Sequence, residues 1–297
     1  DRSGPQRVVR VVEREVELTG AEGLDGIPVV VGGDLITAEG KQPGPGAQAD
    51  GIQDLESVLP HLPQSLVGDD RGSQQEDDLQ ALDGVVLATL DRPKVNALNT
   101  DLLLELEALA VACAEDPPGS VVVTGAGRMF AAGAELAEFA DPERRPVQAD
   151  AFRAAFGAIE RIPCPTIAAV NGMALGGGAE LAWCCDLRIL GEGSVFGQPE
   201  VFLGIIPGGG ATQRLTGLVG RSTAKRLIWG GAQITAAEAL RLGLADEVVP
   251  DDELLHRALA LGAEYAKGPR LAIRAAKRAI DEGVDLPWPT GIDLELD

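Results

Sequence analysis

Aromatic side chains are scarce in this chain. Its 297 residues include 6 Phe, 3 Trp and 1 Tyr, and all of them lie after Arg128. Residues 1–80 hold none, nor any Met or Cys. A segment without such side chains has little apolar surface to bury against the entropy of ordering, so 1–80 reads as a weakly ordered extension of unknown role. Cysteine is sparse too: Cys113, Cys164, Cys184 and Cys185, with no Cys-x-x-Cys pair. That excludes a disulfide framework and favours reduced core thiols in a cytoplasmic protein. Only His61 and His256 stand beside them. A Cys/His zinc site is therefore excluded, and no metal is expected. His256 sits in the helical run Leu254-Leu255-His256-Arg257-Ala258 and His61 in the unpatterned extension, so neither suits a nucleophile triad. Acid–base work falls to carboxylates, Lys or Tyr.

Positive charge is short as well. Lys+Arg number 25 against 46 Asp+Glu, a formal net charge of −21. Such a surface repels phosphate backbones and anionic lipid, which excludes nucleic acid and membrane surfaces as partners and leaves room only for a local pocket for one small anion. No uninterrupted apolar run suits a membrane span: the most apolar window, Thr166–Cys185, carries Asn171, Glu180 and three consecutive glycines. No basic-then-apolar leader is legible, and Asp1 stands where Met would open a frame, so the expected start is missing or processed.

The chain changes character near residue 80. Residues 1–80 carry 6 basic and 16 acidic groups, and 81–297 carry 19 and 30. The first part thus holds almost half of the excess charge. Val8–Glu13 and Ile27–Val31 could form strands, Gln42–Gly46 breaks any element, and Asp69–Asp78 reads as a solvated linker. From Leu82 the pattern alternates strand and helix, the mark of an α/β class. Strands are predicted at Gly84–Leu90, Ser120–Thr124, Thr166–Val170, Leu187–Leu190 and near 246–249. Thr100 is expected to cap a helix running to Ala114, with further helices at 149–161, 176–185, 211–219, 222–229, 235–242, 251–266 and 269–282.

Val121–Gly127 runs a strand into Gly-x-Gly, but Phe130 stands where the third glycine of a dinucleotide fingerprint belongs. The triple glycines Gly176–Gly178 and Gly208–Gly210 lack the Lys-Ser/Thr of a phosphate loop. What stands out is a misplaced charge. Ile167 to Trp183 is uncharged except for Glu180, and Glu200 lies in the apolar stretch Phe196–Gly204. A carboxylate in such surroundings is paired, protonated or functional. The alternatives at this point are rim residues or arginine pairs. The glycines before Glu180 would leave helix-start amides open to an anion, so carboxylate and amides together suit proton transfer beside a developing oxyanion.

In this context residues 84–282 resemble the crotonase superfamily, in particular its enoyl-CoA hydratase branch. The resemblance rests on Leu90–Asn99, Phe130–Leu136, Ala168–Leu181, Phe196–Glu200 and Leu203–Leu215, in order and at family-like spacing. It implies a ββα spiral core over 81–232 and a helical C-terminal region over 233–297. It also implies syn hydration of a trans-2-enoyl-CoA to a 3-hydroxyacyl-CoA, with fatty-acid β-oxidation as the default pathway. By that resemblance the amides of Ala134 and Gly177 bind the thioester oxygen, Glu180 activates water, and Glu200 exchanges a proton with the α-carbon. Glu135, Leu136 and Ala137 flank the first amide. Arg92, Lys94, Asn96 and Ala97 lie along coenzyme A, with Arg128 a further candidate for its phosphates. Coenzyme A is part of the substrate and no cofactor is implied. The expected partners are acyl-CoA and further copies of the chain, as trimer or hexamer.

Four departures accompany the resemblance. Glu135 replaces the family's usual Asp, and Ala137 stands where hydratases often carry Lys. The chain ends at Asp297, shorter than the family's C-terminal helical segment, and 1–80 has no family counterpart. Two other readings remain open: an enoyl-CoA isomerase using Glu200 alone, and a silent acyl-CoA-binding or scaffold homologue.

Overall fold

The computed structural model describes the backbone of Val9–Val12 and residues 84–296. The strand expected at Ile27–Val31 and the linker at Asp69–Asp78 lie outside the described residues. In chain order the elements are β1 (Val9–Val12), β2 (Val85–Leu90), α1 (Thr100–Glu115), β3 (Ser120–Gly125), β4 (Met129–Ala131), α2 (Leu136–Ala140), α3 (Arg144–Glu160), β5 (Thr166–Val170) and β6 (Met173–Leu175). There follow α4 (Gly177–Cys184), β7 (Leu187–Gly191), β8 (Val195–Gly197), a 3-10 turn at Pro199–Leu203, α5 (Ala211–Gly230), β9 (Gln233–Thr235), α6 (Ala236–Leu242) and β10 (Glu247–Val249). Three helices end the chain: α7 (Leu254–Lys267), α8 (Arg270–Gly283) and α9 (Trp288–Asp293).

Two sheets form. The larger has the order β1-β2-β3-β5-β7-β10 and the smaller β4-β6-β8-β9. Three times in succession the chain lays one strand in the large sheet, one in the small sheet, and then a helix: β3-β4-α2/α3, β5-β6-α4 and β7-β8-α5. This is the expected α/β architecture with a ββα spiral.

Side-chain alternation sorts the large sheet into two cores. Val86, Ala88, Leu90, Val121, Val123, Ala168 and Val170 face the main core with α1 and α3. Val85, Leu87, Val122, Ile167, Ala169 and Ile189 face Leu254, Ala258 and Leu259 of α7. Every residue of β3 and β5 is buried. Strands covered on both faces read as continuous apolar runs, which is why their sequence signal is strong. Each such aliphatic side chain contributes about 1.5–3 kcal/mol on burial.

The structure departs from the sequence reading in several places. The N-cap of α1 is Asn99, whose side chain accepts from the Leu102 amide at 3.2 Å, rather than Thr100. Helix α3 starts at Arg144, before the expected 149. The kink inside α5 falls at Gly220, with φ 74°, where two helices were expected. Strands β4, β6, β8 and β9, three residues each, occupy stretches read as loop or helix start. Within the region 233–297, β9 pairs with β8 in the small sheet and β10 with β7 in the large sheet, with α6 between them.

Four residues of the extension are described, and they form a strand within the stretch read at Val8–Glu13. Val9–Val12 pairs antiparallel with β2, from Val9↔Leu90 to Val12↔Leu87, on the edge of the large sheet. Strand addition works through backbone hydrogen bonds and needs no aromatic anchor. These four residues therefore belong to the core sheet.

Candidate active site

Glu180 lies in α4, a helix whose every residue is buried. The chain enters that helix from β6 through Gly176, at φ 52° and ψ −123°. Glu180 is 2% exposed. Its Oε1 accepts from the Ala211 amide at 2.8 Å, and the Gly209 and Gly210 amides also favour its ionised form. Ala211 is the first residue of α5, so the carboxylate caps the positive end of that helix. Burial nevertheless wins and pushes the Glu180 carboxyl above the ordinary carboxylate range. The three amides and the nearby Arg214 charge oppose it. A side chain at 209 would not fit: a Cβ there would lie 2.6 Å from Glu180 Oε2.

Glu200 sits in the 3-10 turn that follows β8. Burial, with a smaller contribution from the charge of Glu180, pushes its carboxyl up to about 7. Among the described residues Glu200 Oε2 is buried without a hydrogen-bond partner. Its Oε1 faces Gly176, where an added Cβ would come within 3.0 Å. A buried oxygen left without a partner, beside a second carboxylate, is the arrangement of a group that meets a ligand.

Two backbone amides stand at the adjoining turns. Ala134 forms a parallel bridge with Leu98 that uses the Gly133 carbonyl (2.7 Å from the Leu98 amide) and the Glu135 amide (3.0 Å from the Leu98 carbonyl). The bridge leaves the Ala134 N–H out of the ladder. Gly177 is the first residue of α4, where an N–H has no intrahelical acceptor. The turns touch: a Cβ on Gly133 would lie 3.4 Å from the Gly177 nitrogen.

A network that the sequence did not announce fixes the first turn. Gln148 Nε2 donates to the carbonyls of Leu98 (3.3 Å) and Glu135 (3.2 Å) and to Glu138 Oε2 (3.3 Å). The same carboxylate oxygen accepts from the Thr100 amide at 2.8 Å and its hydroxyl at 2.9 Å. Both Gln148 and Glu138 are buried. Their partners lie far away in sequence, so no local spacing reveals them.

The remaining candidates separate. Arg92 forms an ion pair with Glu135 at 2.7 Å and donates to the Ala97 carbonyl at 3.2 Å. Glu135 also caps α2 through the Ala137 amide at 3.3 Å. The Asn96 side chain is buried and internally hydrogen-bonded. Its Oδ1 accepts from the Arg92 amide at 3.0 Å, and its Nδ2 donates to the carbonyls of Ala126, Met129 and Phe130. Ala97 is half-buried, while Lys94, Arg128, Leu136 and Ala137 are exposed.

Fold and site together define a ββα spiral protein with one buried and one half-buried carboxylate near two helix- and loop-borne amides. A model of the enoyl-CoA hydratase/isomerase family matches residues 80–297. The chain belongs to that family, within the crotonase superfamily. It is 42% identical to the 2,3-dehydroadipyl-CoA hydratase of Escherichia coli K12, over 71% of this chain and 84% of that protein. It is 40% identical to the short-chain-enoyl-CoA hydratase of Clostridium acetobutylicum, over 71% of this chain and 83% of that one. The crystal structure of an enoyl-CoA hydratase from Bacillus anthracis superposes with a TM-score of 0.69 at 40% identity, covering 71% of this chain and 84% of that chain. Among the described residues no helix is long and apolar enough to cross a membrane.

Proposed function

We propose that the chain is an enoyl-CoA hydratase that adds water syn across a trans-2-enoyl-CoA to give a 3-hydroxyacyl-CoA. The observation that carries the reading is the carboxylate pair: buried Glu180, and half-buried Glu200 with its Oε2 buried and unpartnered and its carboxyl pushed up to about 7 in part by the charge of Glu180. Ionised Glu180 takes a proton from water as the water oxygen bonds to C3. The C2–C3 π electrons move toward the thioester, whose oxygen takes up negative charge between the Ala134 and Gly177 amides. Protonated Glu200 then delivers its proton to C2. A proton passing from Glu180 to Glu200 restores the starting state. Fixed amides of this kind matter because each oxyanion donor contributes about 10²–10³ in rate. Coenzyme A enters and leaves as part of the substrate, and the scheme needs no further cofactor.

The isomerase reading requires one carboxylate, at Glu200. Glu180, buried and held against three amides, favours the hydratase, and so do hydratase-named relatives near 40% identity. Four buried thiols suit a reducing compartment, the cytoplasm in this reading. Assembly of copies into a trimer or hexamer belongs to the same proposal. Helices α8 and α9 have no buried residue and expose Leu271, Ile280, Val284 and Trp288. The test is addition of crotonyl-CoA with absorbance of the enoyl thioester followed over time. Loss of that absorbance with formation of 3-hydroxybutyryl-CoA is expected. Migration of the double bond in a 3-enoyl-CoA without hydration would favour the isomerase, and binding without turnover the silent homologue.

A further inference from the structure

Arg214 lies in the first turn of α5, and its guanidinium joins three elements. Nε and Nη2 hold the carboxylate of Glu160, the last residue of α3, with Nη2 at 2.6 Å from Oε2. Nη1 donates to the carbonyl oxygen of Gly209. That carbonyl belongs to the peptide group whose N–H is Gly210's. The Ala211 N–H donates to Glu180 Oε1 at 2.8 Å, and the Gly209 and Gly210 amides favour the ionised carboxylate. A donor on the oxygen side of a peptide fixes its orientation and polarises the N–H on the other side. The Arg214 side chain is 19% exposed, so its planar fork is held largely out of water.

We propose that Arg214 is the positioning residue for Glu180: it fixes the Gly209–Ala211 turn whose amides face the carboxylate and so aims that carboxylate, while Glu160 aims Arg214. The inference rests on the hydratase reading for what Glu180 does, but its structural content is independent of that reading. The charges facing Glu180 come from several elements. Arg214 of α5 favours its ionised form. Glu160 of α3 partly offsets the Arg214 charge. Glu200 of the 3-10 turn is coupled to Glu180. The Cys184 thiol of α4 is raised well above its ordinary range by burial and stays neutral. Arg214 is thus the cation whose loss moves Glu180 most directly.

The test compares the full-length chain with Arg214→Gln and Arg214→Lys. kcat and KM for crotonyl-CoA are measured from about pH 5 to pH 9, with circular dichroism to confirm folding. Arg214→Gln is expected to move the acid limb of kcat up by roughly half to one pH unit. It should lower kcat about tenfold or more while KM stays within about twofold. Arg214→Lys keeps the charge but loses the fork, so its limb should move by less. It also carries the test should Arg214→Gln fail to fold. A second readout does not depend on turnover: the infrared band of the protonated Glu180 carboxyl, assigned by its loss in Glu180→Gln and followed in a Glu200→Gln background. That band should appear at higher pH once Arg214 is replaced. Absence of hydration by the native chain with a shifted band would overturn the hydratase reading and uphold the positioning role. An unmoved acid limb and an unmoved band in a folded variant would overturn the positioning role.

Discussion

Glu200 keeps its proton near neutral pH because burial disfavours its charge and Glu180 adds a like charge beside it. Hydration needs Glu200 protonated and Glu180 ionised. Activity should therefore fall as pH rises through about 7, where Glu200 loses its proton. It should also fall on the acid side as Glu180 gains one, giving a bell-shaped profile whose limbs belong to the coupled pair. The same shift bears on stability. The carboxyl is neutral in both folded and unfolded chains well below its ordinary value of 4.5. Between there and about 7 the unfolded chain ionises first, so stability declines through that window, and the full cost is present above it. Glu200→Gln removes the cost. Its melting temperature should exceed the native one by a margin that grows between about pH 5 and pH 8, with a gain on the order of 1–3 kcal/mol. A margin constant with pH would contradict the shift. Both glutamates were legible in the sequence because each interrupts an apolar stretch. Glu138, Gln148 and the part played by Arg214 were not, because their contacts are with carbonyls and carboxylates that only the fold brings near.

Helices and long strands follow their sequence periodicity closely, and β3, β5, β7 and α4 fall within a residue or so of expectation. The small sheet was invisible. Its strands have three residues each, too short to show a period of two, and their pairing is decided by partners in the neighbouring turn of the spiral. One consequence concerns α2. Its Glu138 accepts both Thr100 donors at the start of α1 and also holds Gln148. Glu138→Ala strands those buried donors and should destabilise the fold by about 1–3 kcal/mol in urea titration. Because it also loosens the turn carrying the Ala134 amide, kcat should fall further than the stability loss explains. A variant with native stability would show that the network is dispensable.

At the scale of the whole molecule the edge strand changes how the N-terminal part is understood. β1 and β2 form an antiparallel pair, yet residues 13–84 stand between them where two residues could close the turn. Two deletions separate the alternatives. Removing residues 1–80 takes away β1 and bares the β2 edge, which should lower the melting temperature and promote aggregation. Replacing residues 14–82 by a short Asn-Gly turn keeps β1 and should preserve both stability and hydration. Equal behaviour of the two variants would mean that the strand pairing contributes nothing.

The central claim is that two carboxylates carry the hydration, and the kcat of Glu180→Gln and Glu200→Gln with crotonyl-CoA tests it most directly. Each is predicted to lower kcat by about 10²–10⁴ with KM changed only a few-fold, since proton transfer acts in the transition state. Full hydratase activity in a folded Glu180→Gln would contradict the two-carboxylate account.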